Sequence, residues 1–203
     1  MGFVVQIEYV YSYPMKAKTR KQQIINTAAT LFKKKGYSAV SMRDIAKALG
    51  IKASSLYNHI SSKQDILTEI IISLAEAFTD GMTVIKASKV TNIEKLNRII
   101  ELHVTITTQN TYEMASMNND WMHLEERLDY YLELRDGYEE NFRSIIKEGI
   151  CNKEIIEGNP EVMLFSILST LRSLYLWIPK KEELNAEDLA ANLSKVLVHG
   201  IKK

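Results

Sequence analysis

Residues 41–63 read SMRDIAKALGIKASSLYNHISSK, and the spacing of apolar residues in them predicts two short helices joined by a tight turn. Ser41 is placed as an N-cap whose hydroxyl accepts from a free backbone N–H, and Asp44, three residues on, serves as a short-armed capping-box acid. Ile45, Ala46 and Leu49 share one helical face. Gly50 supplies the left-handed residue that stops a helix and turns the chain, and Ile51 plugs the joint. A second helix is expected from Ala53 to Ile60, with Leu56 and Ile60 inward at i, i+4. Lys52, Ser54, Ser55, Tyr57, Asn58 and His59 then have no core to fill. Short polar and basic residues at the front of a helix suit a major-groove reader, which needs phosphate donors and one or two base-edge contacts. Two amphipathic helices in a row also make a plain helical hairpin, so the flanks must decide.

Charge is the first flank. Lys16 to Lys63 holds eleven Lys/Arg and one acid, Asp44, whereas Gln64 onward holds fifteen Lys/Arg and twenty-three Asp/Glu. The overall +1 therefore hides a basic amino-terminal unit joined to an acidic carboxy-terminal one, which points to a polyanion partner for the first unit alone. With 203 residues, 46% of them hydrophobic, and only three prolines and eight glycines, the chain is expected to form one or two all-helical domains with a real core. Cys151 is the single cysteine, which excludes an intramolecular disulfide and fits a reducing cytosol. The opening MGFVVQIEYVYSYP lacks a basic n-region and a small-residue cleavage site and is too short to span a bilayer. Residues 1–18 are expected to be a flexible arm, and the protein is expected to be cytoplasmic without membrane association.

Sequence neighbours are the second flank. Upstream lies TRKQQIINTAATLFKKKGYSAVS and downstream SSKQDILTEII. From about residue 19 to 70, without a gap, the chain resembles the tetracycline-repressor (TetR) family of bacterial transcription regulators. The resemblance rests on Ile24-Ile25, Ala28-Ala29 and Leu31-Phe32, on Gly36-Tyr37, on Ser41 to Ala46, on Leu49-Gly50-Ile51, and on Leu56-Tyr57, His59 and Lys63. It implies a helix-turn-helix DNA-binding domain over 19–65 and a helical ligand-binding and dimerisation domain over 66–203. A connecting helix opening near Lys63 would join them. It also implies DNA-contacting roles by position. Arg43 reaches a base edge, Ser41 meets phosphate, Thr19 adds a contact from the start of the first helix, Lys52, Ala53, Ser54 and Ser55 open the recognition helix, Tyr57 and His59 contact the backbone, and Lys63 lies beside a phosphate. Two positions depart from the family pattern: Asn58 replaces an aromatic, leaving it to read adenine or stay solvated, and Met42 replaces a threonine.

In the rest of the chain, Thr91-Asn92-Ile93-Glu94 forms a capping box. A polar break is expected at 107–110, one long helix at 125–149, a break at Gly158-Asn159-Pro160, a near-continuous apolar helix at 162–178 and a last helix capped by Asn185. His103, Tyr112, Met114, Met117, Trp121, Met122, Tyr138, Phe142 and Trp177 are the candidate lining of an adaptable apolar cavity, although such a stripe is also ordinary core. Sparse positions, from Leu134-Arg135 through Tyr138, Phe142 and Gly149 to Trp177, resemble a subgroup that senses acyl-coenzyme A thioesters. The last two helices are too apolar for a monomer's surface and are expected to form a homodimer interface. No catalytic motif, cofactor signature or metal-ligand cluster is evident, though His103 and His123 could meet near Glu113 or Glu125. The expected function is a homodimeric repressor, released from a palindromic operator by a small apolar or acyl-CoA-like effector. The alternative is a helical carrier or enzyme with a basic flank.

Overall fold

A reading head of three helices and a fourth that carries it onward are built from strong local signals. Helix α1, Arg20–Lys35, opens on Thr19, whose Oγ1 accepts from the Gln22 N–H, and buries Ile24, Ile25, Ala28, Ala29 and Phe32. Gly36 ends it at φ 83°, ψ 144°, a conformation open essentially to glycine alone. Helix α2, Met42–Ala48, opens on a reciprocal capping box between Ser41 and Asp44. Gly50 turns the chain at φ 66°, and α3 spans Ala53–Tyr57. This helix stops short of the expected Ile60, yet Leu56 and Ile60 are both buried. Helix α4, Lys63–Ala87, is 25 residues long and opens on Ser62. The computed structural model describes residues 19–180 and 185–200, without the Lys180 side chain, so the arm expected at 1–18 lies outside it.

The remainder is a helical bundle around α4. Helix α5 is Asn92–Gln109, α6 Thr111–Asn119, α7 Leu128–Cys151, α8 Pro160–Arg172, α9 Leu174–Trp177 and α10 Ala186–His199. No strand occurs among the described residues. Four expectations are corrected here. The break at 107–110 shrinks to Asn110, because Thr107 is buried within α5. The long helix begins at Leu128, because Trp121–His123 and Glu125–Arg127 form two 3₁₀ turns before it. The 162–178 helix breaks at Ser173. The box at Thr91 is half made: Thr91 accepts from Glu94 N–H, but Glu94 pairs with Arg98 at 3.2 Å. Glu154 from the end of α7 instead accepts the Asn92 N–H at 2.6 Å.

The core of the first unit is completed by side chains of the second. Leu124 and Tyr131, from the second, pack into the apolar cluster of the first. Helix α6 lies against α1, and Lys33 stands 4.9 Å over the Tyr112 ring. Nothing crowds Gly36, so a Cβ there has space but a forbidden backbone. Gly36→Ala is therefore expected to destabilise by about 1–3 kcal/mol, read as a melting midpoint several degrees lower; an unchanged midpoint would contradict the backbone argument.

Candidate functional site

The first candidate surface is the outer face of α2 and α3. Ser41, Arg43, Lys52, Ser54, Tyr57, Asn58 and His59 are exposed, while Ala53 and Ser55 are half-buried. Ile51, Lys52, Ser54, Ser55 and Asn58 line one open hollow. Ser41 and Asp44 fix the start of α2, with Asp44 accepting from both the Ser41 hydroxyl and its N–H. Those bonds hold the Asp44 carboxyl below the usual carboxylate range. Arg43 projects from this fixed turn. Thr19 is exposed at the head of α1. Lys63 differs from the rest: it is half-buried, donates to the Tyr37 carbonyl at 2.9 Å and sits 4.2 Å from the Tyr37 ring centre. Its charge is engaged within the fold.

Lys63 belongs to a joint between the reading head and the second unit. Tyr37 is buried at the turn after α1, edge-on to Phe32 at 5.1 Å. Its hydroxyl donates to Gln64 Oε1 at 2.7 Å, and Gln64 Nε2 donates to the His123 carbonyl at 2.6 Å. The His123 ring stacks on Tyr37 at 5.3 Å. Burial, with Glu125 and Asp120 adding negative charge, raises the Tyr37 pKa, so the hydroxyl stays a donor. His103 lies elsewhere, buried in the bundle against Phe78 and Tyr138, whereas His123 stacks on Tyr37, so the pairing of His103 with His123 does not form. No group of three or more His, Cys, Asp or Glu is gathered for a metal among the described residues.

The second candidate site is a cavity of about 50 Å³ inside the bundle. It is lined from α4 by Ala75 and Phe78, from α5 by His103, and from α6 by Met114, Met117 and Asn118. Helix α7 adds Tyr131, Leu134, Arg135 and Tyr138, and α8 adds Leu168 and Arg172. Ala75 and Tyr131 belong to the core shared with the reading head, Phe78 and Tyr138 to that of the bundle. The cavity thus sits at their seam. Of the expected lining, His103, Met114, Met117 and Tyr138 meet there. Phe142 is instead fully buried core. Trp121 is 6.0 Å from Tyr131 and under Arg135 at 5.3 Å. Tyr112, Met122 and Trp177 are exposed, because each falls on the outward side of its short element.

Neither arginine was among the expected lining, although Arg135 stands among the positions that resemble the acyl-CoA-sensing subgroup. Arg135 lies beside Asp136 at 3.3 Å, and Arg172 donates to Glu139 at 2.7 Å. A signal was present: Tyr131, Leu134, Arg135 and Tyr138 share one face of α7, and Leu168 and Arg172 are i, i+4 on α8, so each arginine interrupts an inward stripe.

Comparison with known proteins now bears on this arrangement. The tetracyclin repressor-like C-terminal domain matches residues 89–201, over half of the chain, and the bacterial regulatory proteins of the tetR family match residues 24–70. The chain belongs to the tetR family. Among curated relatives, the HTH-type transcriptional repressor KstR2 of Rhodococcus jostii is 28% identical over 133 residues, 64% of this chain and 65% of the relative. The biofilm operon regulator IcaR of Staphylococcus aureus is 45% identical over 51 residues, 25% of this chain and 27% of the relative. The chain thus spans less than two thirds of the length of these curated relatives. Among solved structures, tetR-family PfmR of Thermus thermophilus is 28% identical with a TM-score of 0.77, covering 89% of this chain and 99% of that one. KstR2 of Mycobacterium tuberculosis shares the fold at a TM-score of 0.86 and 19% identity, over 93% of this chain and 97% of that one. AibR, solved with isovaleryl coenzyme A and operator DNA, does so at 0.73 and 22%, over 89% and 98%. No described helix is long and apolar enough to cross a membrane.

Burial, aided by the positive charge of Arg172, pushes the His103 pKa from 6.5 down to about 3. The unfolded imidazole takes up a proton below pH 6.5 and the folded one does not until about 3. The contribution of His103 is therefore intact above 6.5 and is lost as pH falls toward 3, by about 1.4 kcal/mol per pH unit. Between pH 6.5 and 5, unfolding titrations should show a steep acid loss that is shallower in His103→Leu. Identical slopes would contradict a neutral buried imidazole.

Proposed function

We propose that this regulator is a homodimeric, cytoplasmic repressor that an amphipathic anion of the acyl-CoA type releases from a pseudo-palindromic operator. The observation that carries this reading is the cavity. At about 50 Å³ it holds a water or two, whereas a pocket for a metabolite needs several hundred Å³. A ligand enters only by moving walls, and two of those walls, α4 and α6, are the helices packed on the reading head. The lining is apolar with Arg135 and Arg172 as its cations. That composition suits an acyl chain with an anionic head, and the acyl-CoA complex of AibR supports the same class.

The mechanism is a population shift. The narrow cavity and the Tyr37 joint belong to the DNA-competent form. The ligand binds the expanded form better, displaces α4 and α6, and moves one recognition helix out of phase with its copy. Residues 19–65 form the DNA-binding unit and 66–203 the effector and dimer unit. Arg43 and Asn58 read bases, with Ser41, Thr19, Lys52, Ser54, Ser55, Tyr57 and His59 on phosphate or sugar. Lys63 acts chiefly by holding Tyr37. The dimer forms through α8 and α10, where Val162, Phe165 and Val196 are 61%, 70% and 73% exposed. Such side chains are the material of a self-complementary interface.

The test is fluorescence anisotropy on an operator selected from genomic fragments. Affinity should fall steeply with salt, as phosphate contacts require, and should fall further on adding a medium-chain acyl-CoA. Salt-insensitive binding, or acyl-CoA binding with no effect on DNA, would favour a carrier. Arg43→Ala should cost roughly 1–3 kcal/mol at the cognate site and relax preference at one base pair. Equal affinity of variant and wild type would remove Arg43 from the base-reading role.

A further inference from the structure

We infer that His103 and Tyr138 read an uncharged oxygen, a hydroxyl or a carbonyl, on the buried end of the effector. The inference rests on the cavity being the effector site. His103 is 4% exposed and Tyr138 6%. His103 Nε2 lies 2.8 Å from Tyr138 Oη, and both side chains line the cavity. The imidazole is packed 4.6 Å from the Phe78 ring, which fixes its plane. Its second nitrogen, Nδ1, is buried with no hydrogen-bond partner among the described residues. Folded proteins seldom leave such an atom unpaired. At a cavity wall, whatever fills the cavity can supply the partner.

The chemistry of that partner follows from the pair. A neutral imidazole has one donor and one acceptor, and the Tyr138 hydroxyl can take either role toward Nε2. When Tyr138 donates, Nδ1 carries the proton and suits a carbonyl or hydroxyl oxygen; when Nε2 donates, Nδ1 accepts from a hydroxyl. A hydroxyl satisfies both cases. A cation is disfavoured by the nearby Arg172 charge that already opposes the imidazolium. A carboxylate is better served by the two guanidiniums than by one desolvated imidazole. A plain hydrocarbon end would displace any water bonded to Nδ1 and return nothing. The site therefore distinguishes an oxygenated effector from its hydrocarbon analogue, a discrimination that buried polar groups perform well and apolar walls poorly.

The experiment measures dissociation constants by isothermal titration for octanoyl-, decanoyl- and dodecanoyl-CoA and for the ω-hydroxy counterpart of each. Wild type should bind at least one hydroxylated member about tenfold more tightly than its partner, the scale of one buried hydrogen bond. The double variant His103→Leu/Tyr138→Phe removes both polar partners together, so without ligand it should melt at or above the wild-type temperature. It should also lose the preference. Equal affinities within every pair for wild type would overturn the inference and leave the effector reading standing. A double variant that keeps the preference would overturn the assignment to these residues. One that melts well below wild type would mark the pair as a structural element of the core. Binding of no acyl-CoA at all would overturn the acyl-CoA reading and this inference with it.

Discussion

Tyr37 carries the constraint on which the rest depends. Its hydroxyl, ring and carbonyl meet Gln64, His123 and Lys63, so one residue at a turn ties α1, the head of α4 and the 3₁₀ segment before α7. The reading helices cannot hold themselves: α2 has seven residues and α3 five, well below the length at which a helix is stable alone. They take their position from α1 and α4, which in turn take theirs from α6 and the Tyr37 joint. A cation donating to a carbonyl at a half-buried site is strong because little water competes with it. Lys63 therefore serves the fold before it serves DNA.

That dependence gives the cavity its leverage. Most of the bundle is filled by Ile, Leu, Phe and Met, and packed interiors do not deform smoothly. The His103–Tyr138 pair and the arginines on the same cavity wall lie where the two cores meet. A ligand lodged there has two outcomes: exclusion, or separation of helices that also support the reading head. Coupling of this kind needs no long relay, because α4 and α6 are wall and support at once.

Local signals were legible in the sequence and tertiary ones were not. Ser41 with Asp44, Gly50 with its positive φ, and the Asn159-Pro160 start of α8 involve partners within a few residues. The same grammar failed at Thr91, where a carboxylate 62 residues away, Glu154, reached Asn92 first and Glu94 turned to Arg98. The Glu125–Arg127 turn falls within the helix expected at 125–149; the 3₁₀ turn just before it is held by the His123 contacts with Tyr37 and Gln64. For the cavity, His103, Met114, Met117 and Tyr138 were legible as an inward Met and aromatic stripe. Arg135 and Arg172 left a weaker trace, as interruptions of an inward stripe, since charged residues on helices usually face water. Phe142 shows the opposite error: an aromatic on the right helix, one turn past Tyr138, is core.

The central claim is that effector binding and DNA-competent spacing exclude one another. The most direct measurement is the distance between the two recognition helices of the dimer, by pulsed electron resonance on spin labels at Ser54→Cys in a Cys151→Ser background. Without ligand, the distribution should overlap that of the operator-bound protein, near a multiple of the roughly 34 Å helical repeat of DNA. Saturating acyl-CoA should move it away from that spacing. A distribution that stays on the DNA-bound spacing with ligand bound would contradict the account.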